Sequence, residues 1–139
     1  MGCLRDRAVV LSVRPEFAEK IASGQKRVEL RRTNLTIVPR IAVIYSTMPV
    51  GRIVAVAGVD GVFRDSPQNI WSRFEGLSAI DKKNFDDYFE GMAKGTAIVF
   101  SQQLFRVSLP YSCLGLGVRP PQSFMYLDMA VVPVKLPGF

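Results

Sequence analysis

Nine residues, Gly24 to Arg32 (GQKRVELRR), mark where this chain changes from a helical to an extended pattern. Ahead of them Phe17, Ala18, Ile21 and Ala22 recur at helical spacing. Pro15 suits the first helical position and Gly24 the position just past the end, which predicts a helix over Pro15–Ser23. From Arg27 to Arg32 charged residues alternate with apolar ones, the period of a strand with one face on a core. Parity places Glu29 and Arg31 on one face and Val28 and Leu30 on the other. Lys26 falls in the turn, free to swing toward Glu29. Charge is thus concentrated at a structural junction, and such junctions often carry function.

Two readings of that cluster stand side by side. A lysine held near a carboxylate and shielded from water donates to a ligand oxygen. Because burial disfavours its charged form, it also serves as a base or nucleophile. The plainer reading is a surface strand with a Glu29–Arg31 ion pair, worth about 0–1 kcal/mol.

The rest of the chain bounds the choice. Its 139 residues, 48% of them hydrophobic, predict one domain over 1–139 with a genuine core. Apolar runs fall short of the ~18 residues that a membrane span needs, and the first residues hold no leader-like apolar stretch, so a cytoplasmic location is predicted. There is no histidine, and Cys3 and Cys113 have no metal-ligand spacing. Cys/His zinc sites and imidazole-based mechanisms are therefore excluded, and neither metal nor cofactor is expected. The net charge of +6 is unevenly spread. Residues 1–64 hold 11 Lys plus Arg against 5 Asp plus Glu, whereas the remainder holds 7 of each. Twelve of the eighteen basic residues are arginine, suited to bidentate phosphate contact. That asymmetry points to an anionic partner, nucleic acid first.

In chain order, Ala8–Val13 reads as a buried strand, Thr33–Pro39 as a loop and Arg40–Ser46 as a strand. Val50–Phe63 is a long strand, with Gly58 and Gly61 marking a bend. Ser66-Pro67 opens a helix with Ile70, Trp71 and Phe74 toward the core, ended by Gly76. A further helix is predicted from Ser78 with Asp81 as a capping-box acid, burying Phe85, Tyr88 and Phe89 and exposing Asp86, Asp87 and Glu90. Thr96–Leu109 contains two strands, or one bent at Ser101–Gln103. Pro110–Gly117 is turn-rich, FMYLD at Phe124 is a short helical turn or strand, and MAVVPVKL is an edge strand or tail. Strands that do not alternate regularly with helices define an α+β fold.

Five blocks carry a resemblance to a known family: LSVRPEFAEKIASGQKRVELRR, YSTMPV, SPQNIW, FDDYFEG and PPQSFMYL, in that order along nearly the whole chain. Gly24, Lys26, Glu29 and Arg31 match the GxKxxExR signature of the ASCH domain family, so the chain resembles its bacterial and phage members. The resemblance implies a PUA-like small mixed β-barrel or curled sheet with two or three short helices, whose cleft faces the signature. It further implies RNA, nucleotide or nucleoside binding, with Lys26, Glu29 and Arg31 in the cleft and Ser46 or Thr47 lining it. Arg27, Arg32 and Arg40 would then contact phosphate.

An enzymatic alternative comes from the same resemblance. One branch of the family hydrolyses N4-acetylcytidine with a lysine, a threonine and a glutamate, and another is linked to ribonuclease activity. Lys26 matches the lysine, while Glu29 stands at the threonine position. If the protein is an enzyme, Lys26 is the base or nucleophile, with Glu29 or Glu90 as proton shuttle. A third possibility is protein contact through residues 129–139 and an exposed aromatic in FMYL.

Overall fold

The computed structural model describes residues 7–115 and 119–129. Cys3 and nearly all of the MAVVPVKL segment lie outside the described residues. Six strands form one mixed sheet: β1 (Arg7–Val13), β2 (Val28–Arg31), β3 (Ile41–Ser46), β4 (Arg52–Asp65), β5 (Gly95–Leu109) and β6 (Phe124–Asp128), in the spatial order β2-β5-β4-β3-β1-β6. The helices are α1 (Pro15–Ala22), α2 (Pro67–Phe74) and α3 (Lys82–Phe89). FMYLD, predicted as helical turn or strand, is a strand antiparallel to β1.

β1 and β3 are buried on both faces, which explains their unbroken apolar runs. They pair in parallel, and the crossover between them carries α1 and β2. On one face Val9, Leu11, Ala42 and Ile44 pack against Ala18, Ile21 and Ala22 of α1. Burial of a side chain such as Ile21 contributes about 1.5–3 kcal/mol. On the other face Val10, Val43 and Tyr45 meet Leu114 and Tyr111 of a 3-10 turn. A third cluster joins Val28 and Leu30 of β2 to Ile70, Phe74, Phe85 and Phe89 of α2 and α3.

The sheet curls because β4 and β5 bend together. Residues Arg52–Gly58 of β4 pair with β3, whereas Val59–Asp65 lie with the half of β5 that pairs with β2. The ladder slips at Ala57/Val59 and again at Val59/Gly61. Added to Gly58, a Cβ would stand 2.3 Å from Ser101 Oγ, so the absence of a side chain lets the strands approach at the bend. β5 is thus one bent strand, with its slip at the predicted Ser101–Gln103. The curl brings edge strand β2 round to face β1 and β6, leaving a half-barrel.

Three expectations are corrected. Asp81 is not the third residue of a helix begun at Ser78. It is itself the N-cap of α3, accepting from the Asn84 amide at 2.8 Å, and this leaves Ser78 in the preceding loop. Tyr88 is half-buried, because it packs edge-on against Phe89, 4.8 Å between ring centroids, while also lining the opening of the sheet. The aromatics of FMYL are half-buried too, since β1 and the α1-side core take up Phe124 and Tyr126.

Candidate functional site

The α1–β2 junction builds the floor of a cleft. Gly24 adopts φ +83°, a conformation that favours glycine, and ends the helix with its amide bonded to the Ile21 carbonyl at 3.0 Å. The chain then turns until the Lys26 amide meets the Lys20 carbonyl at 2.9 Å, and β2 follows. From this turn the Lys26 side chain runs inward and is only 4% exposed. Its Nζ lies 3.6 Å from Glu29 Oε1 and donates to the Ser78 carbonyl. Glu29, itself 7% exposed, accepts from Arg31 at 2.8 and 3.2 Å through Oε2. Three ionisable groups therefore share a nearly dry site in which one carboxyl group lies between two basic side chains.

Arg31 spans the opening of the curled sheet. Besides holding Glu29, it donates to the Ser12 carbonyl of β1 at 2.9 Å and to Ser123, just before β6, at 3.1 Å. One side chain thereby clasps edge strand β2 to the opposite end of the sheet. The loop ahead of α3 completes the floor, with the Leu77 carbonyl accepting from the Arg27 and Val28 amides at 2.7 and 3.0 Å. Ala79 in this loop adopts φ +55°, a strained conformation for alanine.

Above this floor opens a cleft of about 440 Å³, within the range of small-molecule sites. Phe17 of α1 and Tyr88 of α3 give it aromatic walls, Ser12, Asn84 and Ile80 line it further, and Arg14 and Glu16 stand at its α1 side. Burial pulls the Lys26 amino group below the ordinary lysine value, with the Glu29 charge acting in the opposite direction. Burial likewise raises the Tyr88 phenol above its ordinary value.

The other residues singled out in the sequence are placed differently. Ser46 is buried at the end of β3, and the Thr47 amide bonds the Val13 carbonyl at 2.9 Å; neither side chain lines the cleft. Arg27 reaches the Phe100 carbonyl at 3.4 Å. Arg32 bonds the Tyr88 carbonyl at 2.7 Å and lies over the Tyr88 ring, 4.4 Å from its centroid. Arg40, which has interactions within the chain, sits beside Arg7. That is five residues from Ser12 along β1, about 17 Å away along the strand. Glu90 is exposed at the end of α3 and does not line the cleft. Among the described residues no cluster of three or more His, Cys, Asp or Glu could hold a metal ion, and no helix is long and apolar enough to cross a membrane.

Sequence reasoning missed Phe17, Tyr88, Arg14, Glu16 and Ser12 as cleft residues. Phe17 and Tyr88 sit at helical core spacing, and only the curl of the sheet decides that they face an opening.

A curled half-barrel with three short helices and a cleft at its α1–β2 junction defines an α+β protein of the PUA-like class. Residues 11–104 match the family model of the ASCH domain, and the chain belongs to that family. It is 31% identical over 125 residues to an ASCH domain-containing ribonuclease of Zymomonas mobilis subsp. mobilis, a match that covers 87% of this chain and 84% of the relative. The crystal structure of ASCH from Zymomonas mobilis superposes with a TM-score of 0.80 at 28% identity, covering 89% of this chain and 90% of that one. The large ribosomal subunit protein uL22 of Ureaplasma parvum serovar 3 is 25% identical over 122 residues, and the match spans 86% of this chain but 39% of that protein.

Proposed function

We propose that this protein binds RNA by taking one base into the cleft between Phe17 and Tyr88, over a polar floor formed by Lys26 and Glu29. The observation that carries the reading is the convergence of Lys26, Glu29 and Arg31 beneath a cleft of nucleotide size. Lys26 offers a donor and Glu29 Oε1 an acceptor, the pair needed to meet the polar edge of a base. The aromatic walls offer stacking, which every base satisfies. Arg31 holds the Glu29 carboxylate in place and the two sheet edges together, so it positions the floor. Arg27, Arg32 and Arg40 add to a positive field that favours a polyanion.

Fluorescence anisotropy with a labelled single-stranded RNA at low salt tests the reading. Phe17→Ala is expected to weaken binding by roughly five- to a hundredfold, the loss of one stacked base. RNA that binds Phe17→Ala and Glu29→Gln as tightly as it binds wild type would show that the cleft is not the site.

A second reading, RNA cleavage, is favoured by the depressed pKa of buried Lys26 and by the similarity to the Zymomonas mobilis ASCH domain-containing ribonuclease. In that step the 2′-hydroxyl attacks the adjacent phosphorus and the bond from phosphorus to O5′ breaks. The 2′ proton passes to neutral Lys26, O5′ takes a proton from water, and the hydroxide so formed takes the proton back from Lys26, so the products are a 2′,3′-cyclic phosphate and a 5′-hydroxyl. End-labelled RNA cut equally by wild type and Lys26→Ala would remove this reading.

A further inference from the structure

The charged groups of the cleft differ in whether they are already engaged. Lys26, Glu29 and Arg31 hold one another and nearby carbonyls. Arg27, Arg32 and Arg40, the arginines that the sequence offered for phosphate, each have a partner within the chain. Arg14 and Glu16 are exposed and line the same cleft, and their side chains make no hydrogen bond or ion pair among the described residues.

We propose that Arg14 binds the phosphate of the nucleotide whose base enters the cleft, so that the site takes a phosphorylated nucleoside unit rather than a free nucleoside. The inference rests on the reading of the cleft as a base site and adds the class of ligand. Three features support it. A guanidinium fork matches two phosphate oxygens, and among the described residues the Arg14 side chain gives up no hydrogen bond or ion pair to make that match. Its backbone is extended (φ −58°, ψ 145°) ahead of Pro15, and this restricted pre-proline conformation roots the side chain at the edge of the cleft. Beneath it, Lys26 and Arg31 outnumber Glu29, so the floor favours an anion. Glu16 is the countervailing charge, and a phosphate bound by Arg14 feels its repulsion. The two residues therefore have opposite expected effects.

Isothermal titration with the four ribonucleosides and their 3′- and 5′-monophosphates tests the proposal. At least one monophosphate is expected to bind wild type more tightly than its nucleoside. Arg14→Gln should lower that monophosphate affinity by roughly ten- to a hundredfold, the loss of a charge-assisted pair, and leave the nucleoside unchanged. Glu16→Gln should raise monophosphate affinity without affecting the nucleoside. Equal binding of nucleoside and monophosphate to wild type, or undiminished monophosphate binding by Arg14→Gln, overturns the role of Arg14 while leaving the base site in place. Failure of wild type to bind any of the twelve compounds overturns the role of Arg14 together with the base site.

Discussion

Lys26 is the residue on which the site turns, because its charge is held almost out of water. Burial lowers its pKa from the ordinary 10.5, and the nearby Glu29 offsets only part of that effect. The native protein therefore releases this proton at lower pH than the unfolded chain does. Between the two values the unfolded chain binds more protons, so stability rises with pH across that window. Urea unfolding of wild type and Lys26→Met from about pH 7 to about pH 10 checks the sign. Wild type should gain stability relative to the variant as pH rises, since Glu29 keeps its Arg31 partner in both. Parallel curves would mean that the amino group titrates normally. The proximity of Lys26 to Glu29 was legible in the sequence because the two are three residues apart. The carbonyl that accepts from Lys26 belongs to Ser78, 52 positions away, and no local pattern reports it.

At the scale of elements, the loop from Gly76 to Asp81 does more than join two helices. Its Leu77 and Ser78 carbonyls fasten the start of β2, and Ala79 turns through a left-handed conformation just after them. Alanine in that conformation carries strain of about 1–2 kcal/mol. Glycine there would relieve the strain and lose part of the gain to its greater unfolded-state freedom. Ala79→Gly is therefore expected to stabilise the protein by about 0.5–1 kcal/mol, read from the urea midpoint. A destabilised variant would mean that the turn is not strained. The loop also shows why the start of α3 is ambiguous in the sequence. Ser78 and Asp81 both have the chemistry of a cap, and the choice depends on Ser78 facing inward beneath β2, which is a tertiary fact.

At the scale of the whole molecule, the curl of the sheet and the uneven charge act together. Arg31 links β2 to Ser12 and to Ser123, closing with side-chain hydrogen bonds an opening that the backbone ladder leaves. The excess positive charge lies in residues 1–64, which supply α1, the signature and the first half-barrel strands. RNA affinity should consequently fall steeply with salt, with a slope near −0.7 per phosphate contacted on a single strand. Anisotropy titrations from low to moderate salt measure that slope. A flat dependence would leave base contacts without a backbone contribution and contradict an electrostatic footprint.

Legible in the sequence were the strands β1, β3 and β4, the helix over the first turns after Pro15, the closeness of Lys26 to Glu29, and the resemblance to the ASCH family that five ordered blocks carry. Those are consequences of period, of turn chemistry and of short separation along the chain, all of which are written in adjacent residues. Packing fixed that Arg31 serves as a clasp, that Phe17 and Tyr88 line one opening, and that the Arg14 side chain stands there with no hydrogen bond or ion pair among the described residues. Each depends on how far two long strands bend at Gly58 and Ser101. Packing settles that bend between residues more than forty positions apart, and no window of the sequence contains it.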